Sequence, residues 1–128
     1  MATASKTART IVASASNTAS STTRGRLDLQ TALGGIVTFK ITNGGTGPTT
    51  QCEARVLISH NATMPAAASA GADWKTVYVV GNGVAANTVG EWSYVFGPEI
   101  MSIELEFTGN TGQAVTVESY ASEITSIA

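Results

Sequence analysis

Between Met101 and Thr108 every second residue is large and apolar. Met101, Ile103, Leu105 and Phe107 alternate with Ser102, Glu104, Glu106 and Thr108. A period of two puts one set on one face of an extended strand, whereas a helix would scatter both sets around its circumference. The same alternation recurs in Val37-Thr38-Phe39-Lys40-Ile41 and in Arg26-Leu27-Asp28-Leu29-Gln30. Further runs rich in β-branched and aromatic residues lie at 8–15, 51–59, 74–80, 91–96 and 113–127. Turn chemistry separates them: Gly34-Gly35, Gly81-Asn82-Gly83, Gly97-Pro98 and Gly109-Asn110-Thr111-Gly112. Only residues 64–73, MPAAASAGAD, have room for a turn of helix.

About eight short strands without recurring helices predict an all-β fold. It is a single antiparallel β-sandwich or a jelly-roll-like barrel, and the sequence does not choose between them. The sandwich domain is placed at residues 24–128. Residues 1–23, rich in Ser, Thr and Ala, read either as an arm that orders against a neighbour or as an edge strand with a frayed start. Lys6 and Arg9 are the arm's candidate contact residues. A chain of 128 residues can bury a core without a metal or a disulfide. Cys52 is alone and can form no bridge within the chain. The N-terminus has no apolar run of signal-peptide length and no segment is apolar enough to span a bilayer, so synthesis in the cytosol without a membrane partner is expected.

The stretch TNGGTGPTT, residues 42–50, is the segment most like a chemical motif. A phosphate loop needs a lysine after its last glycine and a helix beyond it. Here Pro48 follows Gly47 and a strand comes next, so the stretch is predicted to be a turn, with Asn43-Gly44 supplying positive φ. His60 is the only histidine. It lies eight residues from Cys52, some 25 Å in an extended chain at about 3.3 Å per residue, which rules out a dyad. Cys52 shares a face with Ala54, Val56 and Ile58 and is expected to be a small buried hydrophobe. Glu104 and Glu106 lie about 7 Å apart on one strand face. That suits a glycosidase carboxylate pair, but it is also how a strand faces water, and the solvated face is the expectation.

Trp74 and Tyr78, and separately Trp92, Tyr94 and Phe96, repeat at even spacing, so each set is expected on one face. Such a face is core, the centre of a subunit interface or a sugar-stacking platform. Trp74, Tyr78, Trp92 and Tyr94 are therefore the candidate subunit or glycan contacts. No catalytic, metal or cofactor-binding residue is assigned, and an enzyme is not expected. Only 12% of residues are charged, with a net charge of -2. Charge is uneven along the chain, since residues 1–60 carry +4 and the remainder -6. With so few cations and only Phe39 aromatic among them, nucleic acid is not an expected partner.

The second half of the chain resembles small virion proteins of tailed bacteriophages. The resemblance rests on a Trp-Lys strand, an aromatic strand ending in Gly-Pro-Glu, and EFTGNTGQAVTVE at 106–118. It implies a capsid decoration (cement) or tail accessory protein made in the bacterial cytoplasm and carried on the virion. It also implies a homo-oligomer, a trimer among the options, with the phage major capsid protein or tail proteins as partners. No catalytic residue comes with the resemblance.

Overall fold

A computed structural model describes residues 2–128. The described residues form eight strands: β1 (Ala4–Asn17), β2 (Thr23–Asp28), β3 (Gly35–Asn43), β4 (Glu53–Ser59), β5 (Lys75–Gly81), β6 (Val89–Phe96), β7 (Ser102–Thr108) and β8 (Val115–Ile127). They make two four-stranded antiparallel sheets, in the orders β1-β8-β3-β6 and β2-β7-β4-β5. The pairings nest: β1 lies beside β8, β2 beside β7, β3 beside β6 and β4 beside β5. The chain is thus one long antiparallel ribbon doubled at the β4–β5 turn and wound into two layers. Of the two expected architectures this is the jelly roll.

Alternation predicts the inner faces well. Val37, Phe39 and Ile41 on β3 meet Ile103, Leu105 and Phe107 on β7, all at 0% exposure, with Ala54, Val56, Val117 and Ala121 completing the same cluster. Cys52 is buried in it as expected, and burial pushes its thiol up to about 12, so it is no nucleophile at neutral pH. Residues 4–17 are the edge strand of the 1-8-3-6 sheet. Val12 enters the core from β1, and Asn17 donates to Asn110 Oδ1 at 2.6 Å. Residues 4–17 thus pair along β8.

One end of the roll is tied by buried asparagines. Asn17 and Asn110 bond to each other, and Asn82 donates to Asn43 Oδ1 at 2.9 Å while Asn43 bonds the carbonyls of Gly83 and Ala85. These amides satisfy loop backbone that water cannot reach. The TNGGTGPTT stretch belongs to this end. It is a crossover between sheets, since β3 and β4 lie in different layers. Gly44 does not adopt positive φ, contrary to expectation; positive-φ glycines are Gly34, Gly83, Gly109 and Gly112. The glycine that the crossover needs is Gly47, where a Cβ would collide with the Val84 carbonyl.

Candidate functional site

The sandwich presents two outer faces, and they are built differently. On the 2-7-4-5 sheet the outward residues of β7 are Ser102, Glu104 and Glu106, and all three are buried. The solvated face expected for the two glutamates is thus overturned. The reason is a cover formed by residues 60–74, which run from β4 to β5 across this face. The Ala68 N–H donates to Glu104 Oε2 at 3.3 Å, Arg24 Nη2 to Ser69 Oγ at 2.7 Å, and Arg26 Nη1 to the Pro65 carbonyl.

Strand register then sets the ions in rows. Glu106 is flanked by Arg24 on β2 and Arg55 on β4, and Glu104 by Arg26 and Leu57. Arg24 Nε lies 3.0 Å from Glu106 Oε2 and 3.5 Å from Glu104 Oε1, and Arg55 Nη1 lies 3.8 Å from Glu106 Oε1. Burial pushes the Glu104 carboxyl up to about 7, while the Ala68 N–H and Arg24 act against that and Glu106 adds to it. Two shielded carboxylates, one able to hold a proton near neutrality, would be an acid–base pair if a substrate could reach them. Here the loop and the arginines occupy that space, and the cluster reads as an ionic latch for the cover.

Trp74 sits beneath this cover at 1% exposure, with its indole N–H donating to the Ala66 carbonyl at 2.8 Å. It does not share a face with Tyr78, although their spacing is even. β5 slips register between Val56 and Leu57, where Val56 pairs with Tyr78 but Leu57 pairs with Thr76. The bulge at Val77 turns Trp74 outward under the loop and Tyr78 inward. Tyr78, Trp92 and Tyr94 line the open side of the inter-sheet core, half-buried. Tyr78 meets Phe39 edge-on at 6.2 Å and Tyr94 at 6.0 Å, and Trp92 stacks on Phe39 at 6.1 Å. Trp74 is thus covered by the chain itself, and the other three rings pack half-buried against the core.

Among the described residues none covers the outer face of the 1-8-3-6 sheet in this way. A shallow cleft of about 260 Å³ runs along β8, lined by Ala8, Thr10, Ile36, Thr38, Tyr120 and Ser122. A second, of about 350 Å³, continues it past Lys6, Ile36 and Ile124. Of the arm's candidate residues, Lys6 borders this second cleft. Arg9 is engaged with Glu123, 3.0 Å away. Tyr120 is 45% exposed and donates its phenol to Glu118 at 3.1 Å, which holds that phenol above its ordinary pKa. Sequence reasoning passed over Tyr120. The alternation of Val115, Val117, Ser119 and Ala121 would have placed it on the opposite, open face.

Among the described residues no group of three or more His, Cys, Asp or Glu side chains gathers to hold a metal. No helix there is long and apolar enough to cross a membrane. No protein-family model matches the chain, and no curated protein matches its sequence. Similar solved structures share the sandwich at low identity. A Bacillus endospore appendage protein, from disulfide-linked pili, has 11% identity and a TM-score of 0.51, covering 96% of this chain and 90% of its own. A chain of infectious bursal disease virus, Gx strain, has 17% identity and a TM-score of 0.51, with 95% of this chain matching 32% of the viral one. The SPBc2 prophage-derived protein YomS follows at 13% identity and a TM-score of 0.48, covering 94% and 95%. At these identities the likeness is one of fold alone.

Proposed function

We propose that the chain is a non-enzymatic structural subunit of a phage virion, best read as a capsid decoration protein that binds across neighbouring shell subunits. The observation that carries this reading is the uncovered face of the 1-8-3-6 sheet. It offers Ile36 and Tyr120 among Thr and Ser hydroxyls, while the carboxylates of Glu104 and Glu106 lie beside Arg24 beneath the cover on the other face. Such a surface adheres by burying area rather than by chemistry. By binding the assembled shell more tightly than its free subunits, it stabilises the particle by linkage. Repetition of a modest contact around a symmetric oligomer multiplies its strength. The major capsid protein is the partner proposed, and a tail, neck or baseplate protein is the variant of the same reading.

Mass spectrometry of purified particles with a copy count tests it. Hundreds of copies support a shell role and a few to some tens a tail or neck role; absence from the particle sinks the proposal. A glycan-binding alternative has one favourable observation, the exposed Tyr120 ring beside the Thr38 and Ser122 hydroxyls. Titration with a broad oligosaccharide panel, followed by chemical-shift changes at Tyr120, separates the two.

A further inference from the structure

Two open sheets leave four edge strands, β1, β6, β2 and β5, each with a row of unpaired backbone groups. Folded proteins bend, charge or cover such edges to prevent pairing with other chains. Three of the four carry a register shift, a closely packed neighbouring strand or a lysine. β1 shifts register against β8 three times. β1 and β2 close on each other, so tightly that a Cβ at Gly25 would collide with the Ile11 carbonyl. β5 opens with Lys75 and is broken by its bulge. β6 has none of these, and its one charge is Glu91. It pairs with β3 in unbroken register from Val89 to Phe96, contains neither Pro nor Lys, and exposes Val89 by 55% and Val95 by 73%.

We propose that β6 is a pairing edge for a second copy of this chain. Two β6 strands join antiparallel about a two-fold axis at Trp92 and merge two 1-8-3-6 sheets into one. The occupant follows from the strand's own pattern, Val89-Gly90-Glu91-Trp92-Ser93-Tyr94-Val95. Residues directly opposite in an antiparallel pair share a face. With the axis at Trp92, Val89 opposes Val95 of the partner subunit, and Gly90, over which the Trp92 ring of its own chain lies, opposes Tyr94 of the partner subunit. Glu91, the strand's one charge, meets the hydroxyl of Ser93 of the partner subunit rather than another carboxylate. Moving the axis to Ser93 would set Glu91 against a valine. About Trp92 the strand sets valine against valine and its one carboxylate against a hydroxyl. The pairing also covers the half-buried Trp92, whose ring lies over Gly90. It does not depend on the virion reading, and it gives two-fold rather than three-fold symmetry.

Light scattering on the full chain over about 1–100 µM should give twice the subunit mass. Val95→Lys places a charge opposite Val89 and should weaken association about tenfold or more, returning the single-subunit mass with an unchanged circular dichroism spectrum. Val79→Lys, on the comparably exposed β5 edge, should leave the doubled mass intact. Trp92 reports the contact separately, because Trp74 is already buried. Its emission should shift to the blue as wild-type concentration rises and stay fixed in Val95→Lys. A single-subunit mass at every concentration overturns the proposal, as does a doubled mass that survives Val95→Lys or disappears with Val79→Lys.

Discussion

The two outer faces of the sandwich arise from the same pleated geometry and differ in what the chain lays over them. Across β2, β7 and β4 lies the 60–74 loop, latched onto Glu104 and the arginines beside it. Across β1, β8 and β3 lies no loop among the described residues, and Lys40 there meets Glu118 at 3.8 Å with both side chains in contact with water. Ion pairs of similar length thus stand in two dielectric environments. A shielded carboxylate depends on its partner far more than an exposed one does, because losing the partner leaves a charge that water cannot solvate.

The sharpest test of that difference is a pair of deletions. Arg24→Ala strips the closest cation from Glu104 and Glu106 and should cost about 3–5 kcal/mol in urea unfolding. Lys40→Ala on the open face should cost no more than about 1 kcal/mol. Equal losses would erase the distinction between the faces.

A smaller effect separates the faces by pH. Glu104 has a folded pKa near 7, above the unfolded carboxyl value of about 4.3. The native state therefore holds the extra proton across that window. Stability from this group is full below the lower value, falls as pH rises towards 7, and changes no further above it. Glu104→Gln keeps an acceptor for the Ala68 N–H and should flatten this part of the melting-temperature curve. A wild-type curve with no such fall would remove the raised pKa from the account. The smallest effect is expected on the open face itself. Tyr120→Ala should change stability by less than about 0.5 kcal/mol, while particle attachment, if the proposed function is right, should weaken. A large loss of stability would mean that the face is not free.

Strand identity and the inner face were legible because period two is a local signal. Ile103, Leu105 and Phe107 could be assigned to the core from eight consecutive residues. What covers the other face is not local. The burial of Glu104 and Glu106 comes from a loop some thirty to forty residues upstream, with no pattern of its own beyond alanine, serine and glycine. Trp74 was misplaced by one extra residue at Val77, and bulges leave no reliable trace in alternation. The two readings of the lead could not be separated within residues 1–23 either, because its order comes from pairing with residues 115–127. Tyr120 differs from these, since its face followed from a pattern already visible in β8.

The nested order has a consequence for how the chain comes to be folded. β8 lies between β1 and β3, so the first strand made has no sheet to join until residues 115–127 have left the ribosome. Nearly all pairings join distant segments, and only β4 and β5 are neighbours in both sequence and sheet. High contact order of this kind makes for slow closure, in milliseconds to seconds rather than microseconds. During synthesis the apolar faces of β3 and β4 must wait, open to aggregation or to a chaperone, for a strand not yet translated.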